Sequence, residues 1–197
     1  MARSTRKVTP KVRRRFPFRN AFLRLHDGWR DMGAANHILL GLGVIFISTL
    51  SFSAYHLARS HYQMREMQCL ALNVYHEARG ESETGQYAVA TVTMNRVKSE
   101  HYPDDVCRVV YQKGWSPKLQ RYISAFSWTN FDSEASVIPK ESKAWQEAFS
   151  VAKNVYLEHE RLKKAGDALF YHADYVKPRW ASQKTRIAKI GKHIFYR

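Results

Sequence analysis

Residues 32–58 form the longest stretch of the chain without an Asp, Glu, Lys or Arg. The centre of this stretch, residues 38–57, consists mainly of Ile, Leu, Val, Phe, Gly and Ser. Twenty helical residues span about 30 Å, the thickness of the hydrocarbon layer of a bilayer. The pattern therefore predicts a transmembrane helix at residues 37–58. A cleaved signal peptide is the alternative, but its apolar region would be shorter and nearer the start, so we expect an uncleaved anchor.

The segment before this span is strongly basic. Residues 1–31 contain ten Lys or Arg against two Asp, a net charge of +8 out of +15 for the whole chain, and residues 32–197 carry the remaining +7. By the positive-inside rule, residues 1–36 stay cytoplasmic and residues 59–197 lie in the periplasm, with the span in the inner membrane. A basic arm can also bind nucleic acid. The span already explains the charge here, so we expect no nucleic-acid partner.

Beyond the span, apolar positions recur at helical spacing. Residues 59–66 are predicted to form a juxtamembrane stalk. A helix then follows, because one stripe carries Ala71, Val74, Tyr75 and Ala78. We expect Gly80 to end this helix in a left-handed conformation.

A second helix is predicted from about residue 84 to 98. It is apolar on most of its circumference, so it should be the central buried helix, with Asn95 and Arg96 as half-buried polar residues near its end. Pro103 is placed to open a third helix that runs through Tyr111.

The rest of the chain predicts one long loop, one amphipathic helix and two strands. Residues 113–140 show no sustained period and are expected to form a structured loop. An apolar stripe from Trp145 to Tyr156 predicts a helix whose charged end precedes Gly166. Residues 168–172 and 192–196 have strand composition. The expected fold class is α+β, predominantly α, with a small sheet, in one domain at residues 67–197.

Two cysteines, Cys69 and Cys107, both follow the span. In an oxidising periplasm they could form a disulfide, but two buried thiols fit the sequence equally well. The chain has no Cys-x-x-Cys, His-x-x-x-His or Glu-x-x-His pair. A metal site built on His76, His172 and His193 is therefore not favoured, and we expect neither a metal nor a cofactor.

Several ordered blocks of sequence carry a family resemblance. The first are Cys69-Leu-Ala-Leu-Asn-Val-Tyr-His-Glu-Ala-Arg-Gly-Glu81, Gly85-Gln-Tyr-Ala-Val-Ala90 and Asn95-Arg-Val97. The later ones are Tyr102-Pro103, Val109-Val-Tyr-Gln112, Phe126-Ser-Trp128, Phe170-Tyr-His172, Trp180 and Lys189-Ile-Gly-Lys-His-Ile-Phe195. Over residues 67–197 the chain resembles the catalytic domain of SleB-type cell wall hydrolases, the spore-cortex-lytic enzymes and their relatives. It departs from them at Ser124-Ala125, where relatives often carry Cys-Gln.

The resemblance implies a lysozyme-like, α-rich fold, peptidoglycan glycan strands as substrate and a single essential glutamate at Glu77. The residue types agree with this role. Glycosidic cleavage needs a carboxyl that stays protonated near neutral pH, and packing against aromatic groups raises a carboxyl pKa. Tyr75, Trp128 and Tyr171 are candidate walls of such a pocket. Further candidates are Glu81, Asn95, Tyr171 and His172 as supporting residues and Tyr75, Tyr87, Trp128 and Trp180 as substrate-binding residues.

The predicted reaction is cleavage of the bond between N-acetylmuramic acid and N-acetylglucosamine, with a lytic transglycosylase favoured and hydrolysis as the alternative. Lytic transglycosylases need no second carboxylate, because the C6 hydroxyl of the sugar attacks and leaves a 1,6-anhydro end. Alternatively, Glu81 or Asp132 could position a water for hydrolysis. For Glu81 we favour a supporting role over catalysis, in which it holds Arg79 or a backbone amide. The other functions that the sequence allows are a non-catalytic, glycan-binding envelope component and a phage-encoded, anchored lysis enzyme. The oligomeric state cannot be inferred.

Overall fold

The computed structural model describes residues 33–130 and 142–197, which divide into two compact units at His56 and Leu57. Residues 1–32 and 131–141 lie outside these ranges. They include the basic segment, Asp132 and the end of the loop predicted at 113–140. Helix α1, Ala34–Ala78, contains the apolar stretch, and its large side chains there are exposed. By length and composition, α1 is a candidate membrane span, the one such helix in the described part of the chain.

The second unit contains the other helices and all described strands. Helices α2, α3 and α4 are Glu83–Lys98, Val106–Val110 and Lys143–Leu157. Strands β1 to β5 are Lys113–Ser116, Arg121–Ser124, Phe170–Ala173, Arg186–Ile190 and His193–Tyr196. Short 3₁₀ helices lie at Ser127–Asn130, Lys163–Ala165 and Arg179–Gln183. Strands β1 and β2 form an antiparallel hairpin, and the other three form an antiparallel sheet in the order β3-β5-β4. The mainly helical fold class is thus confirmed.

Helix α2 occupies the centre of the domain, as its apolar circumference predicts. Its residues Ala90 and Met94 pack with α1, α3 and α4 in one hydrophobic cluster. Ala88 and Val92 pack against the three-stranded sheet in a second cluster, together with Phe195 of β5. The N-terminus of α2 is capped by the Ser82 hydroxyl, which accepts a hydrogen bond from the Gly85 amide. Buried on both sides, α2 joins the helical layer to the sheet.

The ends of two helices differ from the sequence prediction. Helix α1 does end before Gly80, but Gly80 does not have the positive φ that was expected. The Glu81 amide instead donates a hydrogen bond to the Ala78 carbonyl and closes a turn there. Helix α4 ends at Leu157, before its charged tail, where His159 adopts a φ of 57° that a helix cannot continue through. Gly166 does adopt a positive φ, but it follows the 3₁₀ helix at Lys163–Ala165.

The sequence interpretation also missed three strands. The segment expected to be a loop contains the hairpin β1–β2, and β4 is one of the two edge strands of the three-stranded sheet. Both sides of the hairpin are exposed, so neither strand carries the apolar alternation by which a half-buried strand is recognised. The two predicted strands are present as β3 and β5, and they pair with each other.

Candidate active site

Glu77 lies in the last turn of α1, beside the buried stripe of that helix. Its side chain is half-buried, and its Oε2 accepts a hydrogen bond of 3.2 Å from the Tyr171 hydroxyl. Burial raises the pKa of the Glu77 carboxyl above its usual range, while the Tyr171 hydrogen bond and the charge of Arg96 act in the opposite direction. The result is a carboxyl that holds its proton at higher pH than an exposed glutamate does.

Tyr171 reaches Glu77 from strand β3. Successive side chains of a strand point to opposite faces, and Tyr171 shares the inner face of the sheet with His193 and Phe195 of β5. Burial, reinforced by the charge of Glu77, raises the Tyr171 pKa well above its ordinary value. Tyr171 is therefore a neutral hydroxyl donor throughout the physiological range.

The end of α2 positions the strand that carries Tyr171. Asn95 Nδ2 donates to the carbonyls of Gly166 and Ala168, at 2.9 and 3.0 Å. Arg96 Nε donates to the Leu169 carbonyl at 2.8 Å, directly before β3 begins. Asn95 thus holds the backbone that leads into β3 rather than contacting Glu77 itself. Arg96 does the same and adds a positive charge that acts on Glu77.

Trp128 lies beside the residue that precedes Glu77. Its ring stacks on His76, with centroids 4.5 Å apart, and its indole N–H donates to Asn73 Oδ1 at 3.3 Å. Asn73 is fully buried, and its amide also donates to Thr93 of α2. The sequence interpretation missed Asn73. An amide four residues before Glu77, about one helical turn away and inside an apolar stripe, was the signal that could have found it.

The Glu81 side chain binds the turn between β4 and β5. Its Oε2 accepts a 3.0 Å hydrogen bond from the Lys192 amide, between β4 and β5. Gly191 precedes that amide with a φ of 56°, and a side chain at position 191 would collide with the Glu81 carboxylate. Glu81 therefore holds a backbone amide, one of the two structural roles considered for it. Arg79, its other expected partner, lies over the Tyr75 ring at 5.1 Å.

Two predicted substrate-binding residues, Tyr75 and Tyr87, contact side chains other than Glu77. Tyr75 is buried in the helical core, with its ring 6.1 Å from that of Trp145, rather than lining a pocket open to substrate. The Tyr87 hydroxyl donates to Glu160 and accepts a hydrogen bond from Asn154, so it ties α2 to the end of α4.

His172 and Trp180 lie on the opposite face of the sheet from Tyr171. His172 Nε2 is 2.9 Å from the Tyr196 hydroxyl, and the two rings are stacked. The Trp180 ring contacts those of His172, Tyr196 and Phe170. The structure therefore brings Tyr171 to Glu77 and places Trp128 on His76, the residue before Glu77, while the His172–Trp180 group lies on the other face of the sheet.

The three histidines considered as metal ligands lie in different environments. His76 stacks on Trp128, His172 contacts Tyr196, and His193 faces Tyr171, where burial lowers its pKa. Within residues 33–130 and 142–197, no group of three or more His, Cys, Asp or Glu side chains is arranged to hold a metal ion.

Known proteins share this domain. The pattern of the Cell Wall Hydrolase family matches residues 80–196. Spore cortex-lytic enzymes of Bacillus cereus and Oceanobacillus iheyensis are 32% and 31% identical over 136 residues, which is 68% of this chain. The chain spans less than half the length of these relatives, 45% and 42% respectively.

A solved structure is also similar. The catalytic domain of the germination-specific lytic transglycosylase SleB from Bacillus anthracis superimposes with a TM-score of 0.50 and 32% sequence identity. The match covers 67% of this chain and 93% of that domain. Because the family pattern covers more than half of the sequence, the chain belongs to the cell wall hydrolase family, whose SleB-type members it resembles in sequence and fold.

Proposed function

We propose that this protein is a membrane-anchored peptidoglycan hydrolase that cleaves the bond between N-acetylmuramic acid and N-acetylglucosamine. The observation that carries the proposal is the Glu77 carboxyl, whose pKa is raised by burial. This carboxyl accepts a hydrogen bond from the neutral hydroxyl of Tyr171. A proton donor to a glycosidic oxygen requires a raised pKa, and the hydrogen bond holds the carboxyl in place. The membership of the cell wall hydrolase family supports the choice of substrate.

The step proposed for Glu77 is general acid and then general base catalysis. The protonated carboxyl gives its proton to the glycosidic oxygen as the bond to the muramic acid C1 breaks. The resulting carboxylate removes the proton from the C6 hydroxyl of the same sugar, whose oxygen then bonds C1. The products are a 1,6-anhydro end and a free hydroxyl on the departing sugar, and Glu77 is protonated again.

We favour this transglycosylase route because Glu81, the nearest carboxylate in sequence, is held by the Lys192 amide. An intramolecular attack needs no second carboxylate to activate water. The SleB domain with which the chain superimposes is itself described as a lytic transglycosylase. Asp132, the other carboxylate considered for positioning a water, lies outside the described residues.

Mass spectrometry of digested sacculi tests the route. Full-length protein in detergent is incubated with purified sacculi in water enriched in oxygen-18, and the released muropeptides are analysed. We expect 1,6-anhydro ends without the heavy isotope at the cleaved bond. Reducing ends that carry oxygen-18 would instead show hydrolysis and overturn the transglycosylase assignment.

The apolar part of α1 supports an anchor in the inner membrane. The basic segment at residues 1–36 supports a cytoplasmic N-terminus and a periplasmic domain, because positive flanks stay on the cytoplasmic side. In this arrangement residues 59–66 are the stalk, and the active domain faces the cell wall.

Replacing Tyr171 by Phe is expected to move the pH profile. The hydroxyl donates to Glu77 and so favours the ionised carboxylate, which lowers the Glu77 pKa. Without it the pKa rises, and the basic limb of kcat/KM moves to higher pH because the acid stays protonated longer. Loss of one hydrogen bond should change the maximal rate by no more than about tenfold. Turbidity loss of sacculi across a pH series measures both effects.

Tyr196→Phe is the matched control for this pH profile. Its hydroxyl lies on the opposite face of the sheet, next to His172, so its loss should leave the basic limb in place. A Tyr171→Phe profile with an unmoved or lowered basic limb would contradict the role given to the hydrogen bond.

A further inference from the structure

The hairpin β1–β2 presents an aromatic pair to solvent. Trp115 and Tyr122 are 55% and 66% exposed, and they are direct cross-strand partners whose ring centroids lie 5.3 Å apart. Lys113 shares their face, because it lies two residues before Trp115 on the same strand. Neither strand buries a face, and an isolated two-stranded hairpin is marginally stable in water. A ligand on the aromatic face would stabilise the hairpin.

The charge around this pair selects an anionic partner. Residues 106–130 contain four cationic side chains and no Asp or Glu. Three of them belong to the hairpin, and all three are exposed: Lys113, Lys118 and Arg121. The stem peptides of peptidoglycan carry carboxylates, while its sugar rings offer apolar faces that stack on aromatic side chains. A glycan strand therefore matches both the rings and the charges.

Contacts connect the hairpin to the residues around Glu77. The base of the hairpin is closed by the Ala125 amide, which donates to the Gln112 carbonyl at 2.8 Å. Next to this base, the Tyr111 ring lies 5.8 Å from that of Trp128, which stacks on His76. Aromatic rings thus run from the residue beside Glu77 to the foot of the hairpin.

We infer that the face of Trp115 and Tyr122 is a glycan-binding platform, separate from the cleavage site, that holds a distal part of the strand being cut. This inference rests on the proposed function for its substrate class. One sugar ring stacks on the aromatic pair, and Lys113 contacts a carboxylate of the attached stem peptide. The platform gives the enzyme a preference for long strands over short fragments.

Binding to sacculi tests the platform without depending on cleavage. All variants are made in full-length Glu77→Gln protein in detergent, and the bound fraction is measured by co-sedimentation over a range of sacculus concentrations. We expect the double variant Trp115→Ala, Tyr122→Ala to bind about tenfold more weakly, equivalent to about 1.4 kcal/mol. Tyr175→Ala is the matched control, since Tyr175 is 83% exposed and lies outside the hairpin, and it should bind as the parent does.

A second variant guards against unfolding of the hairpin. Trp115→Phe, Tyr122→Phe keeps two stacking rings and is expected to retain most of the binding. If both double variants bind as tightly as the parent, or if both lose binding to the same extent, the platform is wrong. Sacculi that remain intact with wild-type protein would refute the proposed function, while the binding series would still report on the hairpin.

A lipid surface is the other partner that exposed aromatic and cationic residues could contact. Hydrogen exchange of the hairpin amides separates the two partners in full-length protein reconstituted in nanodiscs. We expect soluble glycan strands to protect residues 113–124, in discs with or without anionic lipid. Protection that follows the anionic lipid and ignores the glycan would assign the hairpin to the membrane and overturn the inference.

Discussion

Glu77→Gln is expected to abolish cleavage of sacculi and to leave the fold unchanged. The amide keeps the size of the carboxyl and can still accept the Tyr171 hydrogen bond, but it cannot donate an acidic proton to the glycosidic oxygen. General acid catalysis typically contributes about 10²–10⁴-fold to a rate, so the activity of the variant should be lower than that of the wild-type protein by that factor or more. Zymography and turbidity loss with purified full-length protein measure it, and circular dichroism checks the fold.

Glu83→Gln is the matched control for this loss. Glu83 lies six positions later, in the exposed first turn of α2, and the same replacement there should leave activity within about twofold. Full activity of Glu77→Gln would refute the assignment of the acid. If the wild-type protein itself bound sacculi and never cut them, the domain would be a glycan-binding component of the envelope.

The helices were predictable because their signals are local. The long apolar helix that is a candidate span, the stripe that leads to Glu77 and the extent of α2 can all be inferred from residues within a few turns of one another. Strands β1, β2 and β4 were missed because their sides are largely exposed, so they lack the apolar alternation that marks a half-buried strand. Local periodicity therefore served the helical layer better than the sheets.

The site was predictable in its chemistry but less so in its geometry. Alternation along β3 requires Tyr171 and His172 to face opposite ways, but which of them meets Glu77 depends on the pairing of β3 with β5. Tyr75 belongs to the core rather than to a substrate pocket, because α4 packs over it through Trp145. Glu81 finds its partner 111 positions away at Lys192, a contact that no short motif can show.

Removal of the disulfide is expected to have the largest effect on stability. Cys69 of α1 and Cys107 of α3 are bonded in the structure and close a loop with a sequence separation of 38. Constraining a loop of this length in the unfolded chain is worth about 3–4 kcal/mol. Helix α3 is only five residues long and cannot be stable alone, so it depends on this disulfide and on Glu66. The Oε2 atom of Glu66 accepts a hydrogen bond of 2.6 Å from the Val106 amide.

The double variant Cys69→Ser, Cys107→Ser should therefore lower the free energy of unfolding by about 3–4 kcal/mol, a fall in Tm of roughly 10 °C for a domain of this size. Thermal unfolding of full-length protein in detergent, followed by circular dichroism, measures the difference. Dithiothreitol should lower the Tm of the wild-type protein to a similar degree and leave the variant unaffected. Equal Tm values for the two proteins, with and without reductant, would show that the bond does not contribute to stability. A protein that depends on this bond must fold where thiols are oxidised, which agrees with a periplasmic domain.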